Sequence, residues 1–328
     1  MLLMLWHDVS FVHLLSSIRS LISLISYFKE INVKRCTPIA AAVLFAIASQ
    51  GVFADNNFAG LSQMGDNHAA TALQGDPTVS FSSIWQTQSG STNTAFAQQI
   101  NSTTLSAILQ TQAGFSNNAF AIQSFAGPGA LSTIFQDGTS NGATTVQTSV
   151  SATSAEINQF NVMNTAAVTQ TITSLGTSAL INQTGTSNSA TVGQSIAAAT
   201  TAIVAQEGDG NFAVVIQANT SNNFLQASQR GSNNVLGASQ TGFGHIANIS
   251  QEQEGNFLVY AQAGVSNVAS STQIGTTNTG QLNQSGSFNT ATTFQRGLLN
   301  DFVLSQAGIA DVATVFQDGN NHSAVIFQ

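Results

Sequence analysis

Glutamine recurs along this chain with a period that few folds can accommodate. Gln229, Gln240, Gln251, Gln262, Gln273, Gln284, Gln295, Gln306, Gln317 and Gln328 follow one another at intervals of eleven residues. Upstream the same interval separates the pairs Gln63/Gln74, Gln88/Gln99, Gln112/Gln123, Gln136/Gln147, Gln159/Gln170, Gln183/Gln194 and Gln206/Gln217, with 12 to 14 residues from one pair to the next. Twelve units of 22 to 25 residues therefore fill 63–328. A fixed period of this size marks an array in which one small unit repeats and buries its apolar face only against its neighbours.

Within each unit the other positions are also fixed. Two residues after the first Gln stands Gly65, Gly90, Gly114, Gly138, Gly185, Gly208, Gly231, Gly275, Gly297 or Gly319, with Asn161 and Gln253 as exceptions. Five residues after it stands Asn93, Asn117, Asn141, Asn164, Asn188, Asn211, Asn234, Asn256, Asn278 or Asn300, replaced by His68 and His322 in the first and last units. The glycine supplies the positive φ of a tight turn, and asparagine is among the few other residues that tolerate it, so the unit reads strand, turn, strand, turn. Alternate positions such as Ala166, Val168 and Gln170, or Ala190, Val192 and Gln194, share one strand face of small and aliphatic residues ending in the amide.

One such unit cannot bury that face alone. Stacking units at about 4.7–4.8 Å places Gln over Gln and Asn over Asn, so that the amides form hydrogen-bonded ladders around a narrow core of Ala, Val and Ile. The predicted fold is all-β: a β-solenoid of about twelve stacked strand-turn-strand rungs, amyloid-like, spanning on the order of 55 Å. The glutamines and asparagines named above are its candidate ladder residues and the glycines its candidate turns.

Composition supports long uninterrupted strands and excludes several functions. Only three prolines occur, none after Pro128. Charged residues make up 6% of the chain, against roughly 25% in an average globular protein. Residues 55–328 hold Arg230 and Arg296 against twelve acids, which cannot neutralise a run of phosphates and so argues against a nucleic-acid partner. The single cysteine, Cys36, lies in the N-terminal region, so no disulfide or cysteine metal site is expected beyond it.

Lys34 and Arg35 precede an apolar run from Ile39 to Ala48, and Val52-Phe53-Ala54 then offers a cleavage site. This predicts a secretory signal peptide over 34–54 and a short mature N-terminal segment over 55–62 ahead of the repeats. The extension 1–33, with Val9–Phe28 interrupted by His13 and Arg19, reads as a start codon assigned too far upstream; an uncleaved anchor of about 20 residues is the alternative. No other stretch is long and apolar enough to span a bilayer, so no stable membrane insertion of the mature chain is expected.

The segment Ser82-x5-Gln88-x-Gly90-x-x-Asn93-x-Ala95-x3-Gln99, and equally Ser106 through Gln123, resembles the curlin repeat of bacterial curli amyloid subunits. The resemblance covers 63–328, about four-fifths of the chain. It implies a subunit secreted through an outer-membrane pore that polymerises at the cell surface into biofilm-matrix fibres supporting adhesion, starting on a nucleator subunit. The chain's main partner would then be itself, with the nucleator and the pore as further partners. Two departures stand out: twelve units exceed the familiar curlin subunits, and the Gly/Asn-rich segment that addresses such subunits to their pore is reduced to Asp55 through Leu61. The acidic C-terminal units, with Asp301, Asp311 and Asp318, favour a polymer subunit over a nucleator.

Chemical sites are not expected. His68, His245 and His322 lie far apart at turn positions, a dispersal that argues against a metal set. The pairs Glu207/Asp209 and Glu252/Glu254 read as gatekeepers against uncontrolled strand pairing rather than as catalytic carboxylates. Neither an enzyme nor a cofactor is anticipated. Phe96, Phe120, Phe294, Phe316 and Phe327 fall on the parity opposite to the Ala-Val-Gln face and should point outward, toward other fibres or a surface. The repeat runs to Gln328 without a capping sequence, predicting an open strand edge there. A monomeric binding or adhesion solenoid is the alternative reading.

Overall fold

The computed structural model describes residues 56–75 and 78–328; the predicted extension 1–33 and signal peptide 34–54 lie outside them. Among the described residues every regular element is a strand, and the strands form two twelve-stranded sheets. The first sheet runs from Phe58–Asp66 and Ser83–Ser91 through Ala107–Phe115 and onward to Val312–Asp318. The second runs from Ala69–Gln74 and Thr94–Ile100 through Asn118–Ser124 to Ser323–Phe327. Successive strands alternate between the sheets, and each pairs in parallel with its counterpart one unit earlier and later. The chain therefore winds as a β-solenoid of twelve rungs, two strands to a rung, with the strand of the opposite sheet acting as the crossover that a parallel pair requires.

Register is kept at the glutamines, Gln183 pairing with Gln206 and Gly185 with Gly208 in the first sheet and Gln170 with Gln194 in the second, and a shift follows Gln217, where Thr220 pairs with Gly242 as the return arc shortens. A slip of one residue would turn every inward Ala, Val and Gln to solvent, which is why the two-residue alternation fixes the pairing. Between the sheets lies a single narrow core, built from columns such as Ile134, Ile157, Ile181 and Val204 facing Ala143, Ala166, Ala190 and Ala213. Size is matched locally. A Cβ on Gly280 would stand 2.3 Å from the Phe302 ring, so the glycine makes room for the largest apolar side chain of the next rung. The first strand starts at Phe58, so residues 58–62 of the segment ahead of the first Gln belong to the first rung.

Two arcs join the strands. The shorter one, here the Asn arc, follows each first-sheet strand; the other, the return arc, climbs to the next rung. The coil tightens along the chain: laddered glutamines are 25 residues apart at Gln63/Gln88, 24 at Gln88/Gln112 and 22 from Gln229/Gln251 onward. The Asn arc keeps its length, so the return arc absorbs the difference. In its longer form it turns Thr103, Ala126, Val150, Thr173 and Ala197 inward in addition to Ser106, Ala130, Thr153, Thr177 and Thr200, all buried.

The turn chemistry differs from the expectation at one position. The glycines two residues after Gln have positive φ, for example 100° at Gly90 and 113° at Gly208. The asparagines five residues after Gln do not. The residue immediately before each of them does instead: Thr92 at 59°, Ser140 at 59°, Asn233 at 56°. Asn93, Asn141 and Asn234 are buried, because their amides are needed inside the arc.

Candidate functional site

The alternation of inward and outward residues carries every predicted ladder glutamine to the rim of the core. Gln183 shows the arrangement. Its Nε2 donates to Gln206 Oε1 at 2.8 Å and to the Thr165 carbonyl at 3.0 Å, while its Oε1 accepts from Gln159 Nε2 at 2.9 Å. The same link, 2.7 to 2.9 Å long, joins Gln63, Gln88, Gln112, Gln136, Gln159, Gln183, Gln206, Gln229, Gln251, Gln273, Gln295 and Gln317 into one line. A second line, with links of 2.7 to 3.0 Å, runs through Gln74, Gln99, Gln123, Gln147, Gln170, Gln194, Gln217, Gln240, Gln262, Gln284, Gln306 and Gln328. In both, the amide N–H points toward the C-terminal rung and the carbonyl toward the N-terminal one.

The asparagines form a third line by a different device. Asn164 Oδ1 accepts the backbone N–H of Asn188 at 3.0 Å, and Asn188 Nδ2 donates to the Gly208 carbonyl at 2.7 Å. Each amide thus ties its own arc to the arc backbone of the next rung toward the C-terminus, through its oxygen and its N–H alike. His68 enters this line as an asparagine substitute, its Nδ1 accepting the Asn93 N–H at 3.3 Å, with Nε2 placed 3.1 Å from the Met64 carbonyl. At the other end the His322 N–H donates to Asn300 Oδ1 at 3.1 Å.

A fourth line, on the return arc, is absent from the sequence reading. Asn223 Oδ1 accepts the His245 N–H at 2.8 Å, His245 Nδ1 accepts the Asn267 N–H at 3.2 Å, and Asn267 and Asn289 pass the same bond on to Asn289 and Asp311. His245 Nε2 stands 3.0 Å from the Thr241 carbonyl, which fixes the proton on Nε2. Burial lowers its pKa, only partly offset by the backbone bonds to Thr241, Gly264 and Asn267. His245 is therefore a member of a ladder and not the isolated turn residue that its spacing suggests. The signal was weak because this line starts only where the coil tightens.

Two more features were not foreseen. Gln86 and Gln110 make a short inner ladder, Nε2 to Oε1 at 2.7 Å, which stops because Leu61 occupies the rung before Gln86. Tyr260 is fully buried with its hydroxyl unpartnered, and burial pushes its pKa far above the ordinary value. Among the predicted outward aromatics, Phe96 stacks on Phe120 with ring centroids 5.1 Å apart, and Phe294 on Phe316 at 5.2 Å.

Ionisable groups do not converge. Among the described residues no three His, Cys, Asp or Glu side chains are grouped to hold a metal ion. The exposed Glu207 pairs with Arg230 at 3.0 Å, and Arg230 is in register with Glu252, so opposite charges alternate up the rungs. Arg296 pairs likewise with Asp318. Fold and side chains together define a parallel, in-register β-solenoid whose repeated chemistry is neutral amide stacking. No protein-family model and no curated protein matches the chain.

Proposed function

We propose that this chain is a secreted structural subunit that self-assembles into curli-like fibres at the cell surface, supporting a biofilm matrix and adhesion. The observation that carries the reading is the uninterrupted register of the two glutamine lines. Each rung offers its neighbour a row of amide acceptors on one side and amide donors on the other, and the strand that best satisfies such a row is another copy of the same repeat. A backbone edge pairs with any strand. Adding buried Gln and Asn columns restricts the choice, because a mismatched rung would leave buried amides unsatisfied. The second copy is thus the principal partner, with a nucleator subunit and an outer-membrane pore as the further partners implied by the resemblance to curlin repeats. No cofactor and no catalytic residue enter this function.

Fibre diffraction and thioflavin fluorescence on the purified secreted chain test it. Growth of thioflavin-positive fibres with a meridional reflection near 4.7–4.8 Å is expected. A chain that stays monodisperse and thioflavin-negative at high concentration contradicts the proposal and supports a monomeric binding solenoid.

A further inference from the structure

The two arcs of the solenoid are chemically unlike, and the return arc holds a feature that stacking of rungs does not use. Large apolar residues occupy five of its left-handed positions, Leu105 at φ 47°, Phe125 at 51°, Ile172 at 53°, Leu175 at 46° and Ile196 at 49°, beside small or polar ones such as Asn101, Ser149, Ala152 and Ala199. Bulky, and especially β-branched, side chains are strained there. All five are also exposed, from 55% for Phe125 and Ile196 to 73% for Leu175. The Asn arc fills its equivalent positions mostly with Ser, Thr, Asn and Gly, such as Thr92, Ser116, Ser187 and Gly210. Neither local conformation nor burial within the molecule accounts for apolar side chains at these places.

Charge is segregated mostly the opposite way, with Asp311 of the last rung on the return arc. Asp137, Glu207, Asp209, Arg230, Glu252 and Arg296 all lie in the last residues of first-sheet strands, where the chain enters the Asn arc. The return-arc segments 100–106, 124–130, 148–153, 171–177 and 195–200 contain no Asp, Glu, Lys or Arg. Two copies of an acidic chain that approach by their Asn arcs oppose carboxylate to carboxylate. If they approach by their return arcs, they meet without charge and hold their acids apart. The surface is also uneven in a way that suits a second copy. Backbone bonds place Gly129 above Leu105 and Ala199 above Leu175, while Ala152 and Gly176 fall between. Small residues thus fill the two rungs between Leu105 and Leu175 and the rung after Leu175, leaving dents that the leucines of an identical edge can enter.

We infer that the return arcs of residues 100–200 are a docking edge for a second copy of this chain, joined edge to edge, perpendicular to the direction in which rungs stack. The contact is between identical surfaces and needs no fibre, so it stands apart from the proposal of rung-by-rung assembly.

The test replaces Leu105, Phe125, Ile172, Leu175 and Ile196 together by Asn, which tolerates the left-handed conformation. The full secreted chain is compared with this variant by sedimentation velocity before fibre growth and by filament width in electron micrographs after it. Met163→Asn with Leu299→Asn, on the Asn arc, serves as control. The wild type and the control should form edge-joined pairs and double-width filaments. The five-site variant should keep or raise its unfolding temperature while its pair dissociates at least about tenfold more readily. If the five-site variant unfolds non-cooperatively, Ile172→Asn with Leu175→Asn carries the comparison. Pairing of the variant as tight as that of the wild type, or a wild type that never pairs, overturns the inference. So does a wild type that remains single yet binds phosphatidylcholine vesicles through these residues, which would make the occupant a lipid surface. Pairs without fibres would leave the edge assignment standing and defeat the fibre proposal alone.

Discussion

A buried glutamine in this solenoid uses both of its N–H groups and its oxygen, so the column is neutral, saturated and indifferent to pH. Histidine at an amide position is different, because the backbone N–H of the next rung can be accepted only by an unprotonated Nδ1. Burial lowers the pKa of His245 below its ordinary value of 6.5, so the unfolded chain takes up a proton before the folded one does. The stability that depends on neutral His245 is therefore fully present above about pH 6.5 and is lost as the pH falls from there through the lowered folded value. His245→Asn should match the wild type at pH 7.5 in denaturant unfolding and be the more stable of the two at pH 5. Equal losses in the two proteins between these pH values would show that His245 is not held neutral by the ladder. The glutamines and the asparagines of the Asn arc were legible because one residue type recurs at one spacing. The His245 slot was not, since it is filled by Asn223, His245, Asn267, Asn289 and Asp311 in turn and follows its Gln by five or six residues.

At the scale of strand and arc, two kinds of glycine must be told apart. Gly208 has a φ of 113°, and a Cβ placed on it would stand 2.1 Å from the Gly231 carbonyl oxygen. Gly237 lies within a second-sheet strand on its outer face with nothing within 4 Å of a Cβ. Gly208→Ala should thus destabilise by on the order of 3 kcal/mol, whereas Gly237→Ala should be neutral or slightly stabilising in a thermal melt. Gly208→Asn should be milder than Gly208→Ala, since Asn161 and Gln253 occupy the equivalent place at φ 75° and 78°. If all three variants melt alike, contact between arcs of adjacent rungs does not set the conformation. The recurring glycine disclosed this turn in the sequence. The left-handed residue before each Asn gave no such sign, because Thr92, Ser116, Met163, Gly210 and Leu299 share no chemistry, only a backbone state imposed by the buried amide that follows. For the same reason the apolar left-handed residues of the return arc became visible only with the fold.

Across the described residues, cohesion is a sum of rung-to-rung interfaces, each repeating the same amide and aliphatic columns. The two-sheet architecture and its number of rungs follow from the glutamine period and the two-residue alternation alone. The tightening from 25 to 22 residues per rung was present in that period too, and the constant interval of eleven assigns it to the return arc; the burial of Thr103, Ala126 and Val150 in the longer form of that arc became visible only with the fold. An array whose interfaces are alike has no intrinsic reason to stop at its own boundary, and this is the physical content of the proposal that copies of the chain extend one another. Seeded growth tests it most directly: sonicated wild-type fibres are added to fresh chain, and the time course is followed by thioflavin fluorescence and sedimentation. The account predicts that seeds abolish the lag and that the chain is consumed in proportion to the number of seed ends. A lag unchanged by seeds, or chain that remains wholly in the supernatant, would contradict it.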